Sequence, residues 1–503
     1  MPDPWVRLRE IDRDIVHLDR VLGLLDWDQQ TYMPAGGIEA RAETSATIRR
    51  LRHELLTGGE LGDLLDRLQP EAEDLPYESN EASLFRVMRR AYDKEVKLPA
   101  RLVEEMAKAA ALGEHAWERA RQESDFRSFE PDLARIVELQ AEKARALGYE
   151  DDPYDPLLDD FEPGVKTREV AALFDRLKER LVPLVQAVNE RSGAVSDAPL
   201  RRRFDVDAQW RFTLEIVERI GFDLERGRQD RSAHPFTVAI APCDVRITTR
   251  FDPGNLASGV YASIHEAGHG MYEQGLPREH ADSLLGRDVS YGIHESQSRL
   301  WENLIGRSRA FWRYFLPRAQ AAFPGVLDDV DVDAMYRAVN KVAHPSTIRV
   351  EADEVTYNLH IFLRFELERE LIAGRLRVRD LPEAWNEKTR QYLGFVPASD
   401  AEGVLQDVHW SAGLFGYFPT YTLGTVLAAQ LYECVRREVP DLEERFARGD
   451  FSAVKAWMQE RIYRHGRRFD PAELVRRATG APFSAEPYVR YIEGKYGDLY
   501  GIS

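Results

Sequence analysis

The run His265-Glu266-Ala267-Gly268-His269 sets two imidazoles four residues apart with a carboxylate between them. On a helix, residues four apart lie nearly above one another, so both rings can reach one ion. Glu266 falls on the adjoining strip of surface, where it can touch a water without ligating. This is the residue pattern of metal-assisted hydrolysis. Ile264, Gly268 and Met271 can face inward, and Gly275 is a terminator. Gly268 costs helix stability but leaves room for a close neighbour. The bland alternative is a helix whose histidines are ordinary surface or core residues. A catalytic zinc needs a third protein ligand and an open position. A third histidine in the extended pattern would stand where the chain has Gly275, and its glycine where the chain has Tyr272. The other solution is a glutamate from a following helix, and Gly292 to Trp301 opens one that carries Glu295. Glu295 alone would be a solvated acid, and His294 is a competing ligand. The set of His265, His269 and Glu295 is the two-histidine, one-glutamate arrangement of catalytic zinc.

The elements around these residues read as helical. Leu8, Ile11, Ile15, Leu18, Leu22 and Leu25 step by three and four, as one face of a helix does. The stripe resembles a coiled-coil seam, but it is short, and a helix packed on a neighbour is the preferred reading. Val170, Phe174, Leu177, Leu181, Leu184 and Val188 repeat the pattern, and Gly221 caps a helix that carries Trp210, Leu214 and Val217. Two segments break the rhythm. Tyr149 to Gly164 is rich in Asp and Pro and reads as a long ordered loop with a solvated acidic surface. It lacks the regular spacing of a calcium-binding loop. Thr237 to Phe251 reads as a β-hairpin turning at Pro242 to Asp244, with Val245 and Ile247 on one side and Arg246, Thr248 and Arg250 on the other. No internal repeat or linker stands out. One catalytic unit over residues 1–503, with two lobes around a cleft, is the expected organisation.

Composition narrows the partners. The chain has 503 residues, 44% of them hydrophobic, and a formal net charge of −18. Such a surface repels phosphate backbones, so nucleic acid and an anionic membrane are excluded as partners. The two cysteines, Cys243 and Cys434, form no CxxC pair and suggest neither a disulfide framework nor a thiolate site. Charges among the first ten residues stand where a signal peptide needs apolar ones. The most apolar window, Leu423 to Tyr432, is short of the roughly 20 residues of a membrane span. The expected location is cytoplasmic.

Further motifs run along nearly the whole chain. They are Trp27-Asp-Gln-Gln-Thr-Tyr-Met-Pro34, Tyr154-Asp-Pro-Leu-Leu-Asp-Asp160, His234-Pro-Phe236, Asp244-Val-Arg-Ile-Thr248 and His294-Glu-Ser-Gln297. Ile348-Arg-Val-Glu-Ala-Asp353, Gly403-Val-Leu-Gln-Asp-Val-His-Trp410 and Gly416-Tyr-Phe-Pro-Thr-Tyr421 follow. With the HExxH run, these make the chain resemble the carboxypeptidase Taq family, which is related in fold to neurolysin and angiotensin-converting enzyme. The resemblance implies a mainly α fold, with a deep groove between two lobes and a small β-sheet near the zinc site. It also implies a homodimer, and removal of single C-terminal residues from peptides with broad specificity. Zinc is the implied metal, with cobalt as a substitute.

The resemblance also distributes roles. Glu266 is the base. His409 and Tyr421 match the histidine and tyrosine that neurolysin-like peptidases hold over the metal to stabilise the oxyanion, with Tyr417 as the competing tyrosine. Arg349 matches the family's arginine for the substrate's terminal carboxylate. Without the resemblance Arg349 would read as a salt-bridge residue, and the aromatics as core. Arg246 and Arg250 on the hairpin are alternatives for the carboxylate, and His234 reads as a cleft-wall residue. The competing functions are a zinc oligopeptidase that cuts internal bonds and a non-catalytic zinc scaffold. Structural zinc sites are four-coordinate and cysteine-rich, which this chain does not support.

Overall fold

In the computed structural model, which describes residues 3–502, helices carry most of the chain and the only sheet among the described residues has three strands. Met1 and Pro2, at the head of the charged N-terminal run, lie outside the described residues. The leucine stripe lies on the helix Pro4–Thr31, where Leu8, Ile11, Ile15 and Leu22 are buried and Leu18 and Leu25 half-buried. Its partners come from the same chain. Leu61, Leu64, Leu65 and Leu68 of Gly59–Asp74, and Phe85 and Met88 of Asn80–Val96, close a local core with it. Leu284 and Leu285 join that core from a distant turn. Each such side chain contributes about 1.5–3 kcal/mol on burial, so no partner molecule is needed to satisfy the seam.

The larger core holds the helix Thr167–Asn189, whose predicted stripe from Val170 to Val188 is buried throughout. Phe174 meets Phe362 and Phe365 of the helix Tyr357–Ile372, with ring centroids 4.6 and 5.0 Å away. The helix Val206–Ile220 ends at Gly221, whose φ of 117° is a left-handed conformation that glycine adopts without strain.

The hairpin forms as β2 (Thr237–Ala241) and β3 (Asp244–Thr249), paired antiparallel. A strand that the sequence reading lacks, β1 (Gly227–Arg231), pairs with β3 in parallel to give the order β1-β3-β2. Val245 and Ile247 are buried, as expected of their side. Thr248 is buried too, because its hydroxyl accepts from Ser232 Oγ and from Phe236 N on the other side.

The acidic segment departs from the expected solvated loop. It folds around a short helix, Asp155–Leu158, with Tyr154, Leu157 and Leu158 fully buried. Three of its polar groups work inside the protein. The Tyr154 hydroxyl donates to Glu368 at 2.5 Å, Asp155 accepts from Thr167 N at 2.7 Å, and the buried Glu162 accepts from Gly292 N at the head of the Glu295 helix. Asp159 and Asp160 are neutralised by Arg90, Lys94 and Lys143. Among the described residues no helix is long and apolar enough to cross a membrane.

Candidate metal centre and substrate site

The HExxH residues lie on the helix Leu256–Gly275, capped by the Asn255 side chain, which accepts from Ala257 N. Glu295 lies on Tyr291–Arg299, capped by Ser290, and this helix runs into a six-residue π-helical turn, Leu300–Ile305. Two glycines let the backbones close in. A Cβ at Gly268 would sit 2.7 Å from Ser298 Cα, and one at Gly424 would sit 2.6 Å from Glu295 Cβ. Gly424 belongs to the helix Pro419–Glu438, so Glu295 is held between two helices.

These approaches bring one nitrogen of His265, one of His269 and one oxygen of Glu295 within 4.8 Å of one another. Glu295 Oε2 is 3.7 Å from His265 Nε2 and 3.2 Å from His269 Nε2. Tetrahedral bonds of about 2.0–2.1 Å place ligand atoms about 3.3 Å apart, so the spacing suits zinc. The donor set also fits. Each histidine has its other ring nitrogen against a fixed partner, Glu302 Oε2 at 2.8 Å for His265 and His294 Nδ1 at 2.5 Å for His269. Such partners orient the rings and leave Nε2 free to ligate.

The electrostatics are those of a buried charged cluster. Burial opposes the charge of Glu295, but Arg299, at 2.6 Å, and the two histidines hold its carboxyl well below the usual range. Glu302 is likewise drawn down to about 2, burial being outweighed by Arg299, His265 and Arg307. Burial, aided by His294, pushes His269 down to about 3, so its imidazole stays neutral as a ligand must. Burial also pushes the Glu266 carboxyl up from its ordinary value. Thr237, on β2, donates to Glu266 Oε2 at 2.6 Å, which orients the carboxylate and leaves its second oxygen for another proton.

His409 Nε2 and the Tyr421 hydroxyl lie 3.2 Å apart, and His409 stacks on Phe418. Tyr421 lies three residues before Gly424, so both share the helix face that meets Glu295. Tyr417 packs edge-on against Phe161 and Tyr291 in an aromatic wall. Arg349 is buried. Its Nε and Nη2 reach Asp407 Oδ1 at 2.8 and 2.7 Å, and its Nη1 donates to Tyr357 at 3.0 Å. Asp407 is shared with Arg364, and burial fails to raise it because the two arginines hold it far down. A guanidinium has five N–H donors, so two of Arg349 remain for a ligand. Its centre stands 5.0 Å from the Tyr421 ring.

The hairpin arginines contact groups outside the metal cluster. Arg246 forks onto Asp244 and lies 4.2 Å over Trp27, and the exposed Arg250 reaches Ala233 O at 3.4 Å. His234 is exposed on the connection between β1 and β2, its carbonyl accepting from Ser232, and no hydrogen bond among the described residues ties its imidazole to the metal cluster. Sequence reasoning missed Glu302, Glu273, Thr237 and Asp407. Glu302 stands seven residues after Glu295 and Glu273 four after His269, so their spacing was legible, but surface glutamates show the same spacing.

A helical protein with a small sheet, whose HExxH helix and downstream glutamate converge in this way, has the architecture of a metallopeptidase. Residues 7–496 match the family described as Carboxypeptidase Taq (M32) metallopeptidase, and the chain belongs to that family. It is 46% identical to the thermostable carboxypeptidase 1 of Thermus thermophilus over 99% of both chains. It is 36% identical to carboxypeptidase 1 of Bacillus subtilis, over 97% of this chain and 96% of the other. The crystal structure of an M32 carboxypeptidase from Deinococcus radiodurans superposes with a TM-score of 0.94 at 42% identity, covering 99% of each chain. The protein is a metallocarboxypeptidase.

Proposed function

We propose that the chain is a single zinc-dependent catalytic unit that removes C-terminal residues from peptides with broad specificity, using His265, His269 and Glu295 as ligands. The observation that carries this is the cluster of three ligand atoms within 4.8 Å beside a carboxylate held by Thr237. Zinc bound there would polarise the scissile carbonyl and lower the pKa of a water; cobalt is the substitute the family resemblance implies.

The chain's own residues do the rest. Glu266, held through Oε2, takes the proton of the attacking water on its free oxygen and delivers it to the leaving amine. The Tyr421 hydroxyl and His409 Nε2 form the donor pair for the oxyanion, and Tyr417 walls the site. Arg349 offers its two remaining N–H groups to the terminal carboxylate while Asp407 holds its plane. Arg246 shapes the groove from the hairpin, and His234 contributes at most to its outer wall.

A cytoplasmic setting is the location proposed with this activity; the two cysteines, Cys243 exposed and Cys434 buried, are both free. A homodimer is the assembly that the family resemblance implies, and sedimentation velocity would test it. Metal analysis tests the centre. One zinc per chain is expected, lost on His269→Ala, and a His269→Ala protein with full metal and full activity would overturn the assignment.

A further inference from the structure

The two histidine ligands are backed in different ways. His265 Nδ1 rests directly on a carboxylate, that of Glu302. His269 Nδ1 instead meets His294 Nδ1 at 2.5 Å, and His294 Nε2 meets Glu273 Oε1 at 2.8 Å. Two ring nitrogens so close share one proton. For His269 to offer the Nε2 lone pair to an ion, that proton must start on its own Nδ1. His294 Nδ1 is then the acceptor, so the proton of His294 stands on Nε2 and points to Glu273.

The chain therefore has a direction, from His269 through His294 to Glu273. Helical spacing builds it. Glu273 lies four residues after His269 on the same helix, and His294 enters between them from the next helix. The His269 and His294 rings meet edge to edge through Nδ1, with centroids 4.5 Å apart and planes at 29°, and Tyr272 closes the far edge of His294 at 5.4 Å. Both nitrogens of His294 are thus engaged away from the cluster of ligand atoms, which holds His265, His269 and Glu295.

We propose that His294 and Glu273 are positioning residues that lock the tautomer and ring orientation of His269, His294 acting as a hydrogen-bond acceptor rather than as a ligand or a packing group. This rests on the metal-site reading above. It predicts that the acceptor atom matters and the ring does not. Asparagine places its Oδ1 close to the position of His294 Nδ1 and keeps the acceptor, whereas phenylalanine keeps an aromatic ring there and removes it.

Zinc affinity, measured by competition with a chromophoric chelator, separates the cases. Wild type, His269→Ala, His294→Asn and His294→Phe are compared as full-length chains. His294→Phe is expected to weaken zinc by about 10–100-fold, and His294→Asn to bind roughly tenfold more tightly than His294→Phe. Wild-type affinity in His294→Phe would overturn the proposal, and so would His294→Asn binding no better than His294→Phe, the result expected of a ligand or of packing. Should His294→Phe fail to fold, Glu273→Gln and Glu273→Leu pose the same contrast one step further out. Gln keeps the acceptor for His294 Nε2–H and should bind zinc more tightly than Leu; equal affinities would overturn the proposal. The metal-site reading fails separately, if wild type binds no zinc or if His269→Ala binds it as wild type does.

Discussion

Glu266 is the residue on which the chemistry turns, and its setting makes a sharp prediction. Glu266→Gln keeps the shape and the contact with Thr237 but cannot accept a proton. Metal content should be unchanged and turnover should fall by about 10²–10⁴-fold. Near wild-type turnover in a metal-loaded variant would remove Glu266 as base. Arg349 allows a second test. Arg349→Ala should lose most activity on free-acid peptides and keep its metal, and Arg349→Lys should recover only part of it, because a point charge lacks the planar fork. Normal trimming by Arg349→Ala would move the carboxylate site to Arg246 or Arg250. At this scale the helix spacing of four made His265 and His269 legible as a pair, and Glu295 followed from the need for a third ligand. Arg349 was singled out by its motif, but its tie to Asp407 was not, since the two lie 58 residues apart and meet only through the fold. The partners Glu302 and Glu273 were hidden because a glutamate on a helix carries no mark of what it faces.

The elements matter here through how closely they approach. Gly268→Ala would drive a methyl group to 2.7 Å from Ser298 Cα and 2.8 Å from Gln297 O, both backbone atoms that cannot step aside. The two helices that carry the proposed ligands should part, with a loss of about 1–3 kcal/mol in unfolding free energy and weaker metal binding. Gly494→Ala, where a Cβ meets nothing within 4 Å, is the control and should be neutral or mildly stabilising. The role of Gly268 was legible, because a glycine inside a helix demands a reason. The strand β1 was not, since Gly-Arg-Gln-Asp-Arg has no apolar alternation and its two buried members, Gln229 and Asp230, are polar.

The acidic segment misled for a related reason, because its aspartates look solvated while Tyr154 and Glu162 are buried. Burial pushes Glu162 up from 4.5 to about 8. The folded state therefore holds a proton that the unfolded chain gives up near 4.5, so this group's share of stability is full below pH 4.5 and is lost as pH rises to about 8. Glu162→Gln, which can still accept from Gly292 N, should be more stable than wild type at pH 9, by an amount that shrinks towards pH 5. Thermal unfolding of both proteins across that range checks it, and a difference independent of pH would contradict it.

Over the whole molecule, the motifs were spread from Trp27 to Tyr421, so family membership was legible where the arrangement of cores was not. The leucine stripe could announce a buried face but not that Leu284 and Leu285 would cover part of it, because long-range packing leaves no periodic trace. The same holds for the site, whose parts come from segments as distant as β2 and the Pro419–Glu438 helix. What unites them is the claim that the chain trims free C-termini at a zinc centre. The direct test offers the zinc-loaded protein one peptide in two forms, with a free C-terminal carboxylate and with a C-terminal amide, and follows products by mass. Stepwise loss of single residues from the free acid and little action on the amide are expected. Internal cleavage of both forms at equal rates, or cleavage of neither, would contradict it.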